Sequence, residues 1–485
     1  MKNSINALMF LSAIFITAGC ANLSAEKKHS EHGKIPNIIY IEADDLGWFD
    51  LGFQGNQFYD TPNIDELASQ GMVFTNAYSA ATNCAPSRAS LMTGQYTPRH
   101  GIYTVGRSDR GKSEDRKLIP VKNTLSIAKD NLTIAHALKT AGYKTCTIGK
   151  WHISNDPLEN GFDINIAGGH GANVFQKGYH SPYNYPNCVQ EAEGEYLTDR
   201  LTNEAIDFIT ANKDSSFFLY LAYYTVHLPL EAKPETEAKY ARKMRTHRQE
   251  NAAYAAMIES LDENIGRLLK HIENTGIVKN TLLVFTSDNG ALWKISKQWP
   301  LRSGKGSYFE GGIRVPLIIR WPDKIEPGTS SDVPVCNIDF FPTFLSVAGA
   351  SPPKDKLLDG IDLMPLLTQE ESVPDRALYW HFPVYLAEYR KGIFNIESEN
   401  RDSLFRTRPG SAIRYSGWKL HENFEDGALE LYQLENDIGE RNNLLKKHPE
   451  KAKMLHNMLK AWRKKVDAKT PMEINPEYRK TAGIN

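Results

Sequence analysis

The feature that most constrains this 485-residue chain is an alternation of helical stretches with short β-branched runs whose far ends carry charged or polar side chains. "PNIIYIEADDLG" reads as a buried parallel strand that ends in acids. "NIDELASQGMVF" reads as a helix that starts near Thr61-Pro62 and stops at Gly71. "TIAHALKTAGYKTCTIGKW" is a helix, a glycine stop and a strand; "YLTDRLTNEAIDFITAN" is a helix and "SFFLYLAYYTVHLP" a strand. "NAAYAAMIESLDENIGRLLKHIENTGI" is a long amphipathic helix, followed by the strand "TLLVFTSDNG". The alternation predicts an α/β domain with a large, mainly parallel sheet flanked by helices. From about Asp375 the pattern changes to short strand-like pieces and a basic amphipathic helix, "PEKAKMLHNMLKAWRKKV". This predicts a smaller C-terminal α+β subdomain with antiparallel strands over residues 371–485, after a main domain over 35–370.

A hydrophobic fraction of 41% supports sizeable cores and argues against disorder. The net charge of -1 offers no global field for nucleic acid, so any anion site must be local. Residues 1–20 read as a signal peptide: Lys2, then the apolar run "INALMFLSAIFI", then "TAGC". "TAGC" resembles a bacterial lipoprotein box with lipid on Cys20; an ordinary signal peptide is the alternative. Residues 21–34 form a polar tether. The expected location is the bacterial periplasm, or the outer membrane through a lipid anchor. The other cysteines, Cys84, Cys146, Cys188 and Cys336, show no paired framework and no CxxC spacing, which argues against a structural zinc site. Cys146 reads as a buried strand residue.

The strand ends carry the chemistry. Asp44 and Asp45 close one strand, Lys150 and His152 a second, His227 a third, and Asp288 with Asn289 a fourth. In open α/β sheets ligands bind outside the carboxyl ends of the strands. An acid pair after a strand is by itself most often a helix cap or a solvated loop. Brought to one edge, Asp44, Asp45, Asp288 and Asn289 make an oxygen-only set suited to a hard divalent cation, Ca²⁺ before Mg²⁺.

"NCAPSRASLMTG" puts Cys84 at a helix N-terminus, with Pro86 in the first turn and Arg88 one turn in. Backbone N–H groups there favour an anion and predict a lowered thiol pKa. The thiol can be core packing, half of a disulfide, a metal ligand or a nucleophile. A thiolate phosphatase would need a glycine-containing loop and a longer Cys-to-Arg spacing, which are absent.

"CAPSRASLMTG" also resembles the signature of the type I formylglycine-dependent sulfatases of the alkaline-phosphatase-like superfamily. "TPNIDELASQGMVFTNAYS", "GKWH", "VHLP", "SDNG", "LRSGKGSYFEGGIRVPLIIRWP" and "ELYQLENDIGERNNL" agree in order and type. The resemblance runs from Pro36 to about Leu445. It implies a sulfuric ester hydrolase in which a formylglycine-generating enzyme converts Cys84 to Cα-formylglycine, whose hydrate attacks sulfur. It further implies that Asp44, Asp45, Asp288, Asn289 and the modified Cys84 hold Ca²⁺, and that Arg88 steadies the hydrate. Lys150 and Lys305 would bind sulfate oxygens. His152 would take the proton that lets the bound sulfate leave, and His227, assisted by Lys305, would protonate the departing alcohol. "GKWHIS" has Ile153 and Ser154 where the family often continues Leu-Gly, which leaves the shape of that loop open.

Those motifs select a reaction and leave the alcohol open. Export and the resemblance to bacterial carbohydrate sulfatases favour a sulfated polysaccharide or oligosaccharide, with sugar, sulfate position and endo or exo action undetermined. The Gly/Asn/Tyr/His-rich insertion "GFDINIAGGHGANVFQKGYHSPYNYPN" and the C-terminal part supply His170, His180, His381, Arg408 and Arg414 as candidate substrate contacts. Loop packing and surface charge are the competing explanation for each. Two other functions remain: a phosphate or phosphonate ester hydrolase of the same fold, and a non-catalytic glycan-binding lipoprotein.

Overall fold

All seven residues of the first strand, β1 (Asn37–Ala43), are buried, and the cause is a parallel strand on either side of it. The structure is a computed structural model that describes residues 35–243, 250–370, 373, 375–387 and 404–479. The expected signal peptide, Cys20 and the tether lie outside the described residues. Further strands are β2 (Met72–Phe74), β3 (Ala77–Tyr78), β4 (Lys144–Gly149), β5 (Ile164–Ile166), β6 (Phe217–Ala222), β7 (Thr281–Ser287), β8 (Leu317–Arg320), β9 (Thr329–Ser331) and β10 (Val335–Cys336). The main sheet has eight strands in the order β5-β4-β6-β1-β7-β8-β2-β9. It is parallel except that β8 runs antiparallel to β7 and β2; β3 pairs with β10 alongside.

Period-two alternation along β1 divides the core between the two faces. Ile39 and Ile41 pack with the helices Leu197–Asn212 and Ala252–Asn274. Ile38 and Tyr40 pack with the helices Cys84–Thr93, Ile134–Thr140 and Phe340–Val347. Because both faces are covered, the central strands read as continuous apolar runs.

After β11 (Leu378–Phe382), β12 (Leu386–Ala387) and β13 (Phe405–Thr407) come β14 (Gly410–Tyr415), β15 (Trp418–Asn423) and β16 (Leu429–Gln433). β11, β14, β15 and β16 form the antiparallel sheet of the C-terminal subdomain. Its central hairpin turns on Ser416 and Gly417, both at positive φ, as a two-residue turn matched to strand twist requires. The helix Pro449–Lys465 covers the sheet with Leu455, Leu459 and Trp462; the Trp462 ring stacks on Tyr379 with centroids 4.6 Å apart. Among the described residues, Cys84, Cys146, Cys188 and Cys336 are buried and form no disulfide.

Candidate active site

β4, β6, β1 and β7 are adjacent and parallel, so their carboxyl ends share one edge of the sheet. Asp44 and Asp45 follow β1, Lys150 and His152 follow β4, and Asp288 and Asn289 follow β7. His227 differs from the expectation. β6 ends at Ala222, and the chain then turns onto Asp44, whose N–H donates to Thr225 O (3.0 Å) while Val226 N–H donates to Asp44 O (2.8 Å). His227 therefore reaches the site from a loop. Lys305 arrives on the segment after β7, which is seated by Lys305 N–H on Ala291 O (2.9 Å) and Gly306 N–H on Thr82 O (2.7 Å). Asp45 and His152, neither a glycine, have φ of 62° and 69°, a strained backbone of the kind that clusters at functional sites.

Cys84 is the first residue of the helix Cys84–Thr93 and is 1% exposed. Its Sγ accepts from Lys305 Nζ at 3.0 Å and lies 3.5 Å from Asp44 Oδ1. The expected lowering of its pKa is overturned. Burial pushes the thiol well above its ordinary value; Lys150 and Lys305 pull it down, Asp44 and Asp288 push it up, and burial wins. At neutral pH this side chain is a thiol and a poor nucleophile.

Cations and acids alternate around it. The Lys150 ammonium pairs with Asp44, and Lys305 Nζ lies 2.6 and 2.8 Å from the two Asp45 oxygens. Burial would raise the Asp45 pKa, but Lys305, His227 and Lys150 outweigh it and hold the carboxyl well below the usual range. Arg88 is fully buried. Its Nε and Nη2 donate to Asp288 Oδ2 at 3.0 and 2.8 Å, and its Nη1 reaches Lys150 O (3.1 Å), Tyr220 Oη (3.0 Å) and Glu42 Oε2 (2.9 Å). Sequence reasoning missed Glu42 and Tyr220 as its braces. A glutamate inside the apolar run "NIIYIEA" was the available signal; Tyr220, in "FFLYLAYY", gave none.

The His227 Nδ1 lies 2.6 Å from Leu228 O, so it carries the proton and Nε2 faces the cluster, 3.7 Å from Asp45 Oδ2. Burial first, then Lys305 and Lys150, lower its pKa to about 3, so the ring is neutral. The buried Tyr179 hydroxyl, from the insertion, holds this loop through the carbonyls of Tyr224 (2.6 Å) and His227 (2.8 Å). Among several tyrosines in that segment, nothing in the sequence distinguishes it. Burial, then Lys150, also keep His152 neutral. Its Nδ1 is buried without a hydrogen-bond partner among the described residues, and its ring stands 6.2 Å from that of His170.

The donor set fits a hard cation. Asp44, Asp45, Asp288 and Asn289 are each under 5% exposed, and the Asn289 Oδ1 is buried with no hydrogen-bond partner among the described residues. Ligand atoms of Asp44, Asp45, Cys84 and His227 lie within 4.8 Å of one another. Three buried carboxylates side by side repel unless cations intervene; here the lysines and Arg88 do so.

The candidate substrate contacts divide. His170 lies beside His152. His180 packs on Tyr196, with Nε2 3.2 Å from Ala232 O. The Arg408 Nη1 is bound to both oxygens of Glu425 (2.9 and 2.7 Å), although neighbouring Arg406 donates to Lys305 O at 3.3 Å. The structure does not bring His381 or Arg414 to the cluster. The ring nitrogens of His381 are taken up by Ser411 Oγ (2.8 Å) and Lys469 O (2.9 Å), and Arg414 is buried over the Tyr78 ring at 5.5 Å. His381 projects from β11 into the packing of the C-terminal subdomain, and Arg414 projects from β14 against Tyr78 of β3, where it lines a separate cavity with Asn76, Arg314 and Asp332.

Residues 36–350 match the family model described as Sulfatase, and residues 304–466 match one described as N-sulphoglucosamine sulphohydrolase, C-terminal. A sulfatase of Formosa agariphila is 34% identical, with 92% of each chain covered. The N-acetylgalactosamine-6-sulfatase of Mus musculus is 32% identical over 84% of this chain and 81% of that protein. The crystal structure of Ps i-CgsB, also solved in complex with k-i-k-neocarrahexaose, has a TM-score of 0.71 at 32% identity, covering 91% of this chain and 95% of the other.

Proposed function

The chain belongs to the sulfatase family of sulfuric ester hydrolases, and from that premise we propose that it removes sulfate groups from sulfated glycans at the Cys84 cluster. The observation that carries this reading is the convergence of Lys150, Lys305 and Arg88 with Asp44, Asp45 and Asp288 around one buried thiol. The glycan part rests on the relatives: proteins named for N-acetylgalactosamine 6-sulfate, and one crystallised with a neocarrahexaose.

In this reading a formylglycine-generating enzyme matures Cys84, and Ca²⁺ is held by oxygens of Asp44, Asp45, Asp288 and Asn289 with residue 84. When present, these groups supply an oxygen nucleophile and a Lewis acid beside the sulfate. Lys150 and Lys305 neutralise charge on the sulfate oxygens, an effect that is strong where water is excluded. Arg88, clamped between Asp288 and Glu42, keeps a fixed positive charge behind residue 84. Because Nδ1–H is committed to Leu228 O, His227 serves the leaving alcohol through Nε2, which must first take up a proton when the substrate binds and then gives that proton to the departing oxygen. Burial is the main reason the ring is neutral; the negative charge of a bound sulfate ester offsets the smaller part that Lys305 and Lys150 contribute and so favours that uptake. His152, neutral through burial, is free to accept a proton. Export and lipid attachment at Cys20 rest on residues 1–20 of the sequence alone.

The test is sulfate release from a panel of N-acetylgalactosamine 6-sulfate, neocarrahexaose and D-glucosamine-2-N,6-O-disulfate, with an aryl sulfate and an aryl phosphate beside them. We expect sulfate from at least one saccharide and faster turnover of the aryl sulfate. No sulfate from any of them, or preference for the phosphate, would sink the proposal.

A further inference from the structure

We infer that Phe175 is a stacking subsite for the sugar ring that departs with the alcohol oxygen. The inference rests on the proposed role of His227 toward that oxygen. Phe175 is a large apolar side chain left 65% exposed. Single exposed apolar residues are ordinary, so exposure alone says nothing. What distinguishes this one is its neighbour: its ring stands 5.4 Å from the His227 ring, at 81° to it.

Its position is fixed by local structure. The helical turn Val174–Lys177 is capped by the Asn173 side chain, which accepts from Gln176 N–H at 3.2 Å. Val174, 3% exposed, anchors the turn in the core while its neighbour faces outward. The turn lies in the insertion whose Tyr179 hydroxyl also holds the His227 loop. One segment thus both positions the histidine and presents an open aromatic ring beside it.

The chemistry of the pair selects the ligand class. A pyranose presents C–H bonds on its ring faces, and where the hydroxyls leave one face bare, that face fits an aromatic ring and loses little on leaving water. Phenylalanine offers no charge and no hydrogen bond, so it is indifferent to the sulfate and responds to the ring behind it. Phe175 therefore favours saccharide sulfates whose apolar face can lie on its ring while the sulfated oxygen faces His227.

The experiment uses the full chain as matured in a host that makes formylglycine, and the panel saccharide that wild type desulfates fastest. Phe175→Ala should raise KM for that saccharide about 3- to 10-fold, leave the Ki of inorganic sulfate in place, and be rescued by Phe175→Trp. Inorganic sulfate meets the lysines without a sugar, so it separates the two parts of the site. An unchanged KM overturns the inference. So does a parallel rise in KM and sulfate Ki, or a Trp variant as weak as the Ala variant. If the functional reading itself is wrong, the failure appears earlier, as a wild type that releases no sulfate from any saccharide.

Discussion

At the residue scale the cluster depends on charges that only make sense together. Lys305 touches both Asp45 and Cys84, and Lys305→Ala should lower kcat/KM for sulfate release about 10²- to 10³-fold, the usual loss for a group that stabilises developing charge. A loss under tenfold would remove it from the reaction. A second consequence concerns His100, whose ring is buried with Nδ1 accepting from Ile102 N–H (3.2 Å), so that Nε2–H donates to Ser90 Oγ (3.0 Å). Burial lowers its pKa from 6.5 to about 3. Between those values the unfolded chain binds a proton that the folded chain refuses. Stability is therefore full above pH 6.5 and falls as pH drops toward 3, by at most about 1.4 kcal/mol per pH unit from this ring. In denaturant titrations His100→Gln should flatten the fall between about pH 6.5 and 4.5 relative to wild type; an unchanged slope would show the ring takes no part.

At the element scale the strand ends are set by backbone contacts as much as by side chains. Gly149 ends β4 at φ +97°, and a Cβ there would sit 1.9 Å from Ala222 O on β6. The next residue is Lys150, so any side chain at 149 pushes the lysine away from Asp44. Gly149→Ala should cost more than about 2 kcal/mol and reduce activity as well. Gly142, at φ +91° with nothing within 4 Å, is the control; its alanine variant should lose less and keep its activity. Equal losses would mean that backbone conformation alone matters, and that the β4–β6 contact does not. The long helices and the central strands β1, β4, β6 and β7 were legible in the sequence, because amphipathic period and glycine stops are local; the short strands β2, β5, β8 and β9 at the sides of the sheet were not, because three or four residues carry no period. The end of β6 was not: the departure of Tyr223–His227 from the sheet follows from hydrogen bonds to Asp44, nearly two hundred residues away.

At the scale of the whole molecule a buried ion cluster ties the C-terminal sheet to the segment behind Lys305. Lys419 of β15, fully buried, lies 2.8 Å from Glu310 Oε1 and 3.1 Å from Glu440 Oε1, and Glu310 N–H donates to Glu440 Oε2 at 2.6 Å. Lys419→Met removes the cation between these two buried carboxylates, leaving Glu310 to Tyr78 and Arg314 and Glu440 to His421; it should destabilise the protein by about 3 kcal/mol in equilibrium unfolding, with part recovered on adding Glu310→Gln and Glu440→Gln. No recovery would show that the loss comes from packing and not from charge. The same distinction separates what could be read from the chain from what could not. The sequence by itself determined the α/β class, the identity of the residues at the ends of β1, β4 and β7, and the motif around Cys84, because each is written in neighbouring positions. Only the tertiary structure decided that Cys84 is a neutral thiol, that Glu42 and Tyr220 brace Arg88, that Phe175 stands against His227, and that His381 and Arg414 lie away from the cluster. Each of these is a matter of burial or of contact between distant segments, and neither quantity exists until the sheet has closed around them.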